Sequence, residues 1–289
     1  MRSYFLYTPI CLITIIVDPF ATASSLANNN DTPGRAGTEL DPFVTAAPMV
    51  LGAVCKDGVA LIAAHTSSAE EPLLYSVHPQ SSDDWFLDLP ENYAGPFRIR
   101  LVDRYGTVFV ACGWRADGDY LWEKVKEVAA AEFLQHGPPS MTYYRKYLAS
   151  QLSLCMARCA LSDQMRTLSS ACLLVFPIMD AALPSLWLVD LTGAYPVRAI
   201  CLGGGLDTMS GEPMAKMAQS RLRKTDIDFA SITVEEGVNE LLRILREQNG
   251  NDGCRGTLLQ KDTRLEIALL KEQNGIFTRR KIAFLQLNR

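Results

Sequence analysis

The chain has 289 residues, 48% of them hydrophobic and 21% charged, with a formal charge of −4 at pH 7. That length allows one large domain or two small ones with an ordinary globular core. Mild acidity without a sustained basic stripe argues against a nucleic-acid binder, and Arg279-Arg280-Lys281 reads as the solvated side of a strand rather than a localisation signal.

Residues 4–17 are strongly apolar behind Arg2, and Ala21-Thr22-Ala23 follows in the A-x-A form of a cleavage site. This is the pattern of a secretory signal peptide. The run is short and broken by Pro9, which counts against a membrane span. The alternative is an N-terminal extension with no targeting role. Residues 24–48 are polar and carry Pro and Gly, with Asn28-Asn29-Asn30-Asp31 among them, and read as a linker. Residues 1–48 are therefore expected to be poorly ordered, and the folded domain to span 49–289.

Order is expected from Met49. Residues 49–55 and 59–65 form two strands around the tight turn Lys56-Asp57-Gly58. Residues 67–97 are irregular, with one short strand expected at 73–77. Residues 97–102 and 107–112 form a second hairpin across Asp103-Arg104-Tyr105-Gly106.

Two helices follow. The first is expected over 119–135, with Leu121, Trp122, Val125, Val128, Ala129 and Phe133 on one face, Gly137 as C-cap and Pro138-Pro139 as the stop. The second starts at Ser140 as N-cap and repeats Met141, Tyr144, Leu148, Leu152, Cys155 and Cys159 at spacings of three or four. The short connection makes the two antiparallel neighbours.

Strand signal returns at 171–178. Residues 185–191 and 195–202 are apolar runs joined at Thr192-Gly193-Ala194, where Gly193 allows a left-handed turn. Gly203-Gly204-Gly205 then leads toward a helix over 212–224, with Pro213 tolerated in its first turn. Thr233 and Glu236 form a capping box for a helix that buries Val238, Leu241, Leu242 and Leu245 and ends at Asn249-Gly250. Residues 250–263 are a polar loop. Residues 265–271 and 276–285 close the chain as a hairpin across Gln273-Asn274-Gly275.

Strands, two helices, strands, two helices, strands: this order predicts an α+β fold, a four-layer αββα sandwich with two antiparallel sheets between two helix layers.

No chemical motif survives inspection. The eight cysteines include no CxxC pair; Cys155 and Cys159 share a helix face, but two thiols do not complete a tetrahedral site, and His65, His78 and His136 lie far off in sequence. The cysteines at 11, 55, 112, 172 and 201 sit in apolar runs and read as reduced core residues. Gly203-Gly204-Gly205 lacks the Lys-Ser/Thr of a phosphate loop, and neither GxSxG nor HExxH occurs.

Five stretches carry a family resemblance. Lys56-Asp57-Gly58-Val59-Ala60-Leu61 looks like KDGVVL after a first strand. Gly113-Trp114-Arg115-Ala116-Asp117 looks like GLxAD before a first long helix. Asp190-Leu191-Thr192-Gly193 resembles a DPSG turn, residues 199–203 a strand ending in AxGxG, and Leu265-Glu266-Ile267-Ala268 the late strand VEIA. In this order they resemble proteasome subunits of α-type, members of the N-terminal-nucleophile hydrolase fold, over about 49–285. Two departures stand out. The YD…FSPDG…QVEYA stretch that guards the ring's pore in α-type subunits is missing, and RPFG appears only as Arg166-Thr167-Leu168-Ser169.

Catalytic members of that family use a freed N-terminal threonine at the start of the first strand, assisted by an aspartate and a lysine. Counting back from Gly58 by the family's interval reaches Pro48, which has no nucleophile. Ala64 and His65 stand where the aspartate is expected, and 57–97 holds no lysine. Gly37-Thr38 resembles a processing junction, but Thr38 lies about ten residues too far upstream.

The resemblance therefore implies a non-catalytic α-type-like subunit of the 20S proteasome core, in a heptameric outer ring stacked on a β ring. It would serve ubiquitin-dependent protein degradation in cytoplasm and nucleus, a location that the signal-like N-terminus contradicts. Its partners would be other α-type and β-type subunits and a regulatory particle, with no nucleic acid, membrane or cofactor. No catalytic, cofactor-binding or metal-ligating residue is assigned. The alternatives are a β-type or self-processed hydrolase starting at Thr38 or at a cysteine such as Cys55, and a secreted stand-alone α+β protein with paired cysteines.

Overall fold

Successive side chains of a strand point to opposite faces, and here both sets are apolar in the central strands, so both faces need a covering. The computed structural model describes residues 41–65, 86–88, 98–103, 105–136, 141–163, 165–176, 184–206, 211–225, 227–246, 264–273 and 276–284. All of these belong to one unit, Pro33–Arg289. In chain order they form α1 (Pro42–Ala46), β1 (Val50–Cys55), β2 (Gly58–His65), β3 (Phe86–Asp88), β4 (Ile99–Leu101), β5 (Val108–Gly113), α2 (Arg115–His136), α3 (Met141–Leu161), β6 (Ser170–Phe176), β7 (Ser185–Asp190), β8 (Gly193–Val197), β9 (Ala199–Leu202), α4 (Met214–Lys224), α5 (Val234–Arg246), β10 (Arg264–Gln273) and β11 (Ile276–Phe284).

The chain is mixed α and β, as expected, and builds two antiparallel sheets. The first has the order β3-β11-β10-β2-β1-β9 and the second β4-β5-β6-β7-β8. Alternation sorts their residues. Met49, Leu51 and Ala53, with Ile62 from β2 and Ile267 from β10, share an apolar cluster with α4 and α5. The opposite set from the first sheet, Val50, Leu61, Ala63, Ile200 and Ala268, joins Val108, Val110, Leu173 and Leu188 of the second sheet in another cluster. Phe109, Cys172, Leu174 and Phe176 complete the second sheet's other face against Leu121, Val125, Tyr144 and Leu148 of α2 and α3. Gly52 lets the two sheets approach: a Cβ there would lie 2.9 Å from Leu61 and 3.0 Å from Leu186.

Helices α2 and α3 run antiparallel. Tyr105 contacts both Phe133, near the end of α2, and Tyr144, near the start of α3, while Tyr120 in the first part of α2 interacts with Cys155 and Cys159 near the end of α3. The capping box forms as expected: the Thr233 N–H donates to Glu236 Oε2 at 2.8 Å, and the Glu236 N–H donates to Thr233 Oγ1 at 3.3 Å. Asp57, in the β1–β2 turn, accepts from the Val234 N–H at 2.8 Å and ties that hairpin to the same helix start.

The structure corrects several expectations. Helix α1 lies inside the stretch read as linker. Asp41 caps it by accepting from the Phe43 and Val44 N–H groups, and Val44 is buried. Helix α2 begins at Arg115 rather than 119. The apolar run 195–202 is two strands in different sheets, because Val197 and Ile200 both face the inter-sheet cluster and the bend at Arg198 resets the alternation. Pro196 cannot donate to a ladder, and β8 is accordingly the edge strand of its sheet. The turn before it is Leu191-Thr192, and Gly193 is not among the left-handed glycines. The Asp190 carboxylate holds this turn, accepting from the Thr192 and Gly193 N–H groups at 2.8 and 3.2 Å. The short strand read at 73–77, the caps Gly137 and Ser140, the Pro138-Pro139 stop and the loop 250–263 lie outside the described residues, as does everything before Asp41.

Candidate functional site

The position to interrogate is the start of β1, where the family interval leads to Pro48. Helix α1 brings the chain there, and the three glycines after β9 line its path. Gly204 donates to the Ala47 carbonyl and Gly205 to the Thr45 carbonyl, each at 2.7 Å. All three glycines have positive φ, and at Gly203 a Cβ would lie 2.6 Å from the Ala47 carbonyl oxygen. The run read as a strand-to-helix turn is therefore also the cradle for the segment entering β1.

Arg98 closes the site from the other side. Its guanidinium donates to the Pro48 and Ala64 carbonyls at 2.8 and 2.9 Å and, through the other terminal nitrogen, to the Ala111 carbonyl at 2.8 Å. One side chain thus links the approach to β1, the end of β2 and strand β5. The backbone of the same residue is held by Glu266 of β10. The Arg98 N–H donates to Oε2 at 2.8 Å and the Ile99 N–H to Oε1 at 3.2 Å. His65 Nε2 lies 3.0 Å from the same Oε2, and His65 and Glu266 are 3% and 1% exposed. Burying a carboxylate costs several kcal/mol unless it is paired, and here an imidazole and two backbone donors meet it.

The Cys112 sulfur lies close to this start, 3.9 Å from the Pro48 carbonyl oxygen and 3.6 Å from that of Val44. Burial pushes the Cys112 thiol up to about 11, with the Arg98 guanidinium pulling it down less strongly. A neutral thiol is a poor nucleophile, and a guanidinium has no acceptor for a proton. The arrangement ties four chain segments together through carbonyl oxygens.

A second cluster unites the family-like stretch 113–117 with the divergent segment 166–169. Arg166 grips the buried Asp117 through both terminal nitrogens, and the Ser169 N–H donates to Asp117 Oδ2 at 2.9 Å. The departed motif at 166–169 therefore meets the Ala116-Asp117 pair across the start of α2. Outside it, the Arg166 guanidinium stacks 4.3 Å over Trp114, which stacks on Phe43 of α1 at 6.0 Å.

The remaining candidates scatter. Thr38, His78, Cys11 and Cys254 lie outside the described residues, and Arg279-Arg280-Lys281 falls in β11. Cys55, Cys112, Cys159, Cys172 and Cys201 are buried and Cys155 half-buried, all as free thiols. Among the described residues no group of three or more His, Cys, Asp or Glu could hold a metal ion, and no helix is long and apolar enough to cross a membrane. Arg98 carries no motif around it in the sequence, and its role comes from carbonyls of three remote segments. Glu266 had a signal: a lone carboxylate inside the buried run Leu265 to Leu270 demands a partner.

No family model matches the chain, and no curated protein matches it.

Proposed function

We propose that this chain is a non-catalytic, α-type-like subunit of the 20S proteasome core, a ring component in intracellular protein degradation. The observation that carries the proposal is connectivity. One helix pair is inserted between β5 and β6 of the second sheet, the other between β9 and β10 of the first, and each pair shares an apolar cluster with the sheet it interrupts. The third cluster between the sheets supports reading the whole as a four-layer αββα sandwich. That is the architecture implied by the five family-like stretches.

The start of β1 supports a structural role over a catalytic one. Proline stands at the nucleophile's position, and the Arg98 guanidinium caps its carbonyl. In this role the chain works through its surfaces. Other α-type and β-type subunits, and a regulatory particle, are its partners, and cytoplasm and nucleus its sites. No described feature favours Thr38 as a nucleophile over this reading.

The test is chemical. The chain, purified from cells that express it, is treated with a fluorescent threonine-reactive epoxyketone and its N-terminus is sequenced. The expected result is no covalent label and no mature start at Thr38 or Cys55. A labelled chain beginning at either residue would overturn the proposal in favour of a self-processed hydrolase.

A further inference from the structure

Helix α3 has two faces rich in apolar side chains, and the fold uses one. Tyr144, Leu148, Leu152, Met156 and Cys159 recur at three and four and are buried against the second sheet. On the opposite side Tyr143, Tyr147, Ser150, Leu154, Ala157 and Leu161 recur in steps of four, three, four, three and four. Ser150 is the one hydroxyl-bearing member without a ring, and its side chain is close to alanine in size. The outermost large members are solvent-facing: Tyr143 is 54% exposed, Leu154 41% and Leu161 86%. Tyr143 and Tyr147 stack at 5.6 Å, one turn apart. The outer face of a surface helix is ordinarily polar. A 4-3 repeat is the spacing of a coiled-coil seam, and the small Ser150 and Ala157 set between larger residues leave holes for a partner's knobs.

The flanks say which partner. Lys146 borders the seam on one side and Arg158 on the other, both exposed. The whole of Met141–Leu161 contains no Asp or Glu. The neighbouring helix offers little exposed acid to balance Lys146 and Arg158: Glu123 and Glu127 of α2 pair with Lys126 and Lys124 of their own helix, Asp117 and Asp119 pair with Arg166 and Arg100, and Glu132, which acts on Tyr147, is buried. A second copy of this chain would set basic flanks against basic flanks, which costs affinity.

We propose that the outer seam of α3 receives an amphipathic helix of a different chain, with an apolar 4-3 seam flanked by Asp and Glu. The proposal rests on the subunit reading above only for the premise that this chain packs against other chains.

The test uses the full chain and two fluorescent coiled-coil peptides about three heptads long. The peptides share one leucine–alanine seam and carry either glutamate or lysine at every flanking position. Fluorescence anisotropy is expected to show the glutamate peptide binding more than about tenfold tighter, with the difference shrinking at high salt. Lys146→Glu with Arg158→Glu is expected to reverse the preference. Leu154→Asp is expected to abolish binding while circular dichroism and Tm stay unchanged, since Leu154 is solvent-facing. Absence of binding, equal binding of both peptides, or self-association that Leu154→Asp abolishes would overturn the proposal. Native mass spectrometry of the wild-type and Leu154→Asp chains separates the two ideas. Co-purification with ring subunits that ignores Leu154→Asp defeats the seam alone. Peptide selectivity without co-purification defeats the ring reading alone.

Discussion

Arg98 and Glu266, 168 positions apart in sequence, meet just before β4, where the Arg98 N–H donates to the Glu266 carboxylate at 2.8 Å. The Arg98 side chain then spends its donors on the Pro48, Ala64 and Ala111 carbonyls. Removing it leaves those acceptors without their cation. Arg98→Ala is expected to lower unfolding stability by roughly 2–3 kcal/mol. Arg98→Lys should recover part of the loss, because an ammonium lacks the planar fork that reaches several carbonyls at once. Urea denaturation measures both. A loss within about 0.5 kcal/mol, the range of ordinary surface changes, would contradict the bracing role.

The glycine cradle gives a paired comparison. Gly203 and Gly205 share a left-handed backbone, with φ of 73° and 79°. A Cβ at Gly205 meets nothing within 4 Å, whereas at Gly203 it meets the Ala47 carbonyl at 2.6 Å. Gly205→Ala should cost only the backbone strain, about 1–2 kcal/mol. Gly203→Ala should cost clearly more. Equal Tm shifts for the two variants would mean that the close approach to α1 is not a constraint.

Thiol reactivity reads the core directly. Burial pushes the Cys55 thiol up to about 12 and the Cys112 thiol up to about 11, and raises Cys172 strongly as well. Thiolate is the nucleophile, so at about pH 8 these three should resist iodoacetamide in the native protein. Among the described cysteines the half-buried Cys155 should label first. Peptide mapping after a short pulse checks the order, and early labelling of Cys112 would contradict it.

Acid should weaken the link between α4 and α5. Hydrogen bonds from Arg243 hold the Glu240 carboxyl below the usual range, burial opposes them, and Thr225 adds a donor at 2.9 Å. A lowered folded pKa means that stability is fully present above the unfolded value and is lost as pH falls through the folded one. The gap in stability between wild type and Glu240→Gln is therefore expected to be widest above the ordinary glutamate range and to close as pH falls through and below it. Parallel curves across that range would show that the pair contributes nothing.

Local signals made much of the fold readable. The hairpin around Lys56-Asp57-Gly58 announces itself through a turn sequence between apolar runs, and Thr233 with Glu236 fixes a helix start by its own hydrogen bonds. What was hidden depends on distance. The break at Arg198 becomes visible only when β8 and β9 are seen to pair with different sheets. Helix α1 is five residues long and buries one of them, Val44, too little for a periodic signal. The strand-end cluster draws His65, Arg98 and Glu266 from three remote segments, and Arg166 finds Asp117 across 49 positions. Spacing within a motif cannot encode such meetings.

Ring membership is the central proposal, and assembly tests it. Native mass spectrometry of the tagged chain, captured at low salt from cells that express it, is the most direct measurement. The expected spectrum holds the chain in a multi-subunit particle, with distinct α-type and β-type proteasome chains released on activation. Recovery solely as a single free chain, across extracts in which the ring particles themselves remain intact, would contradict it.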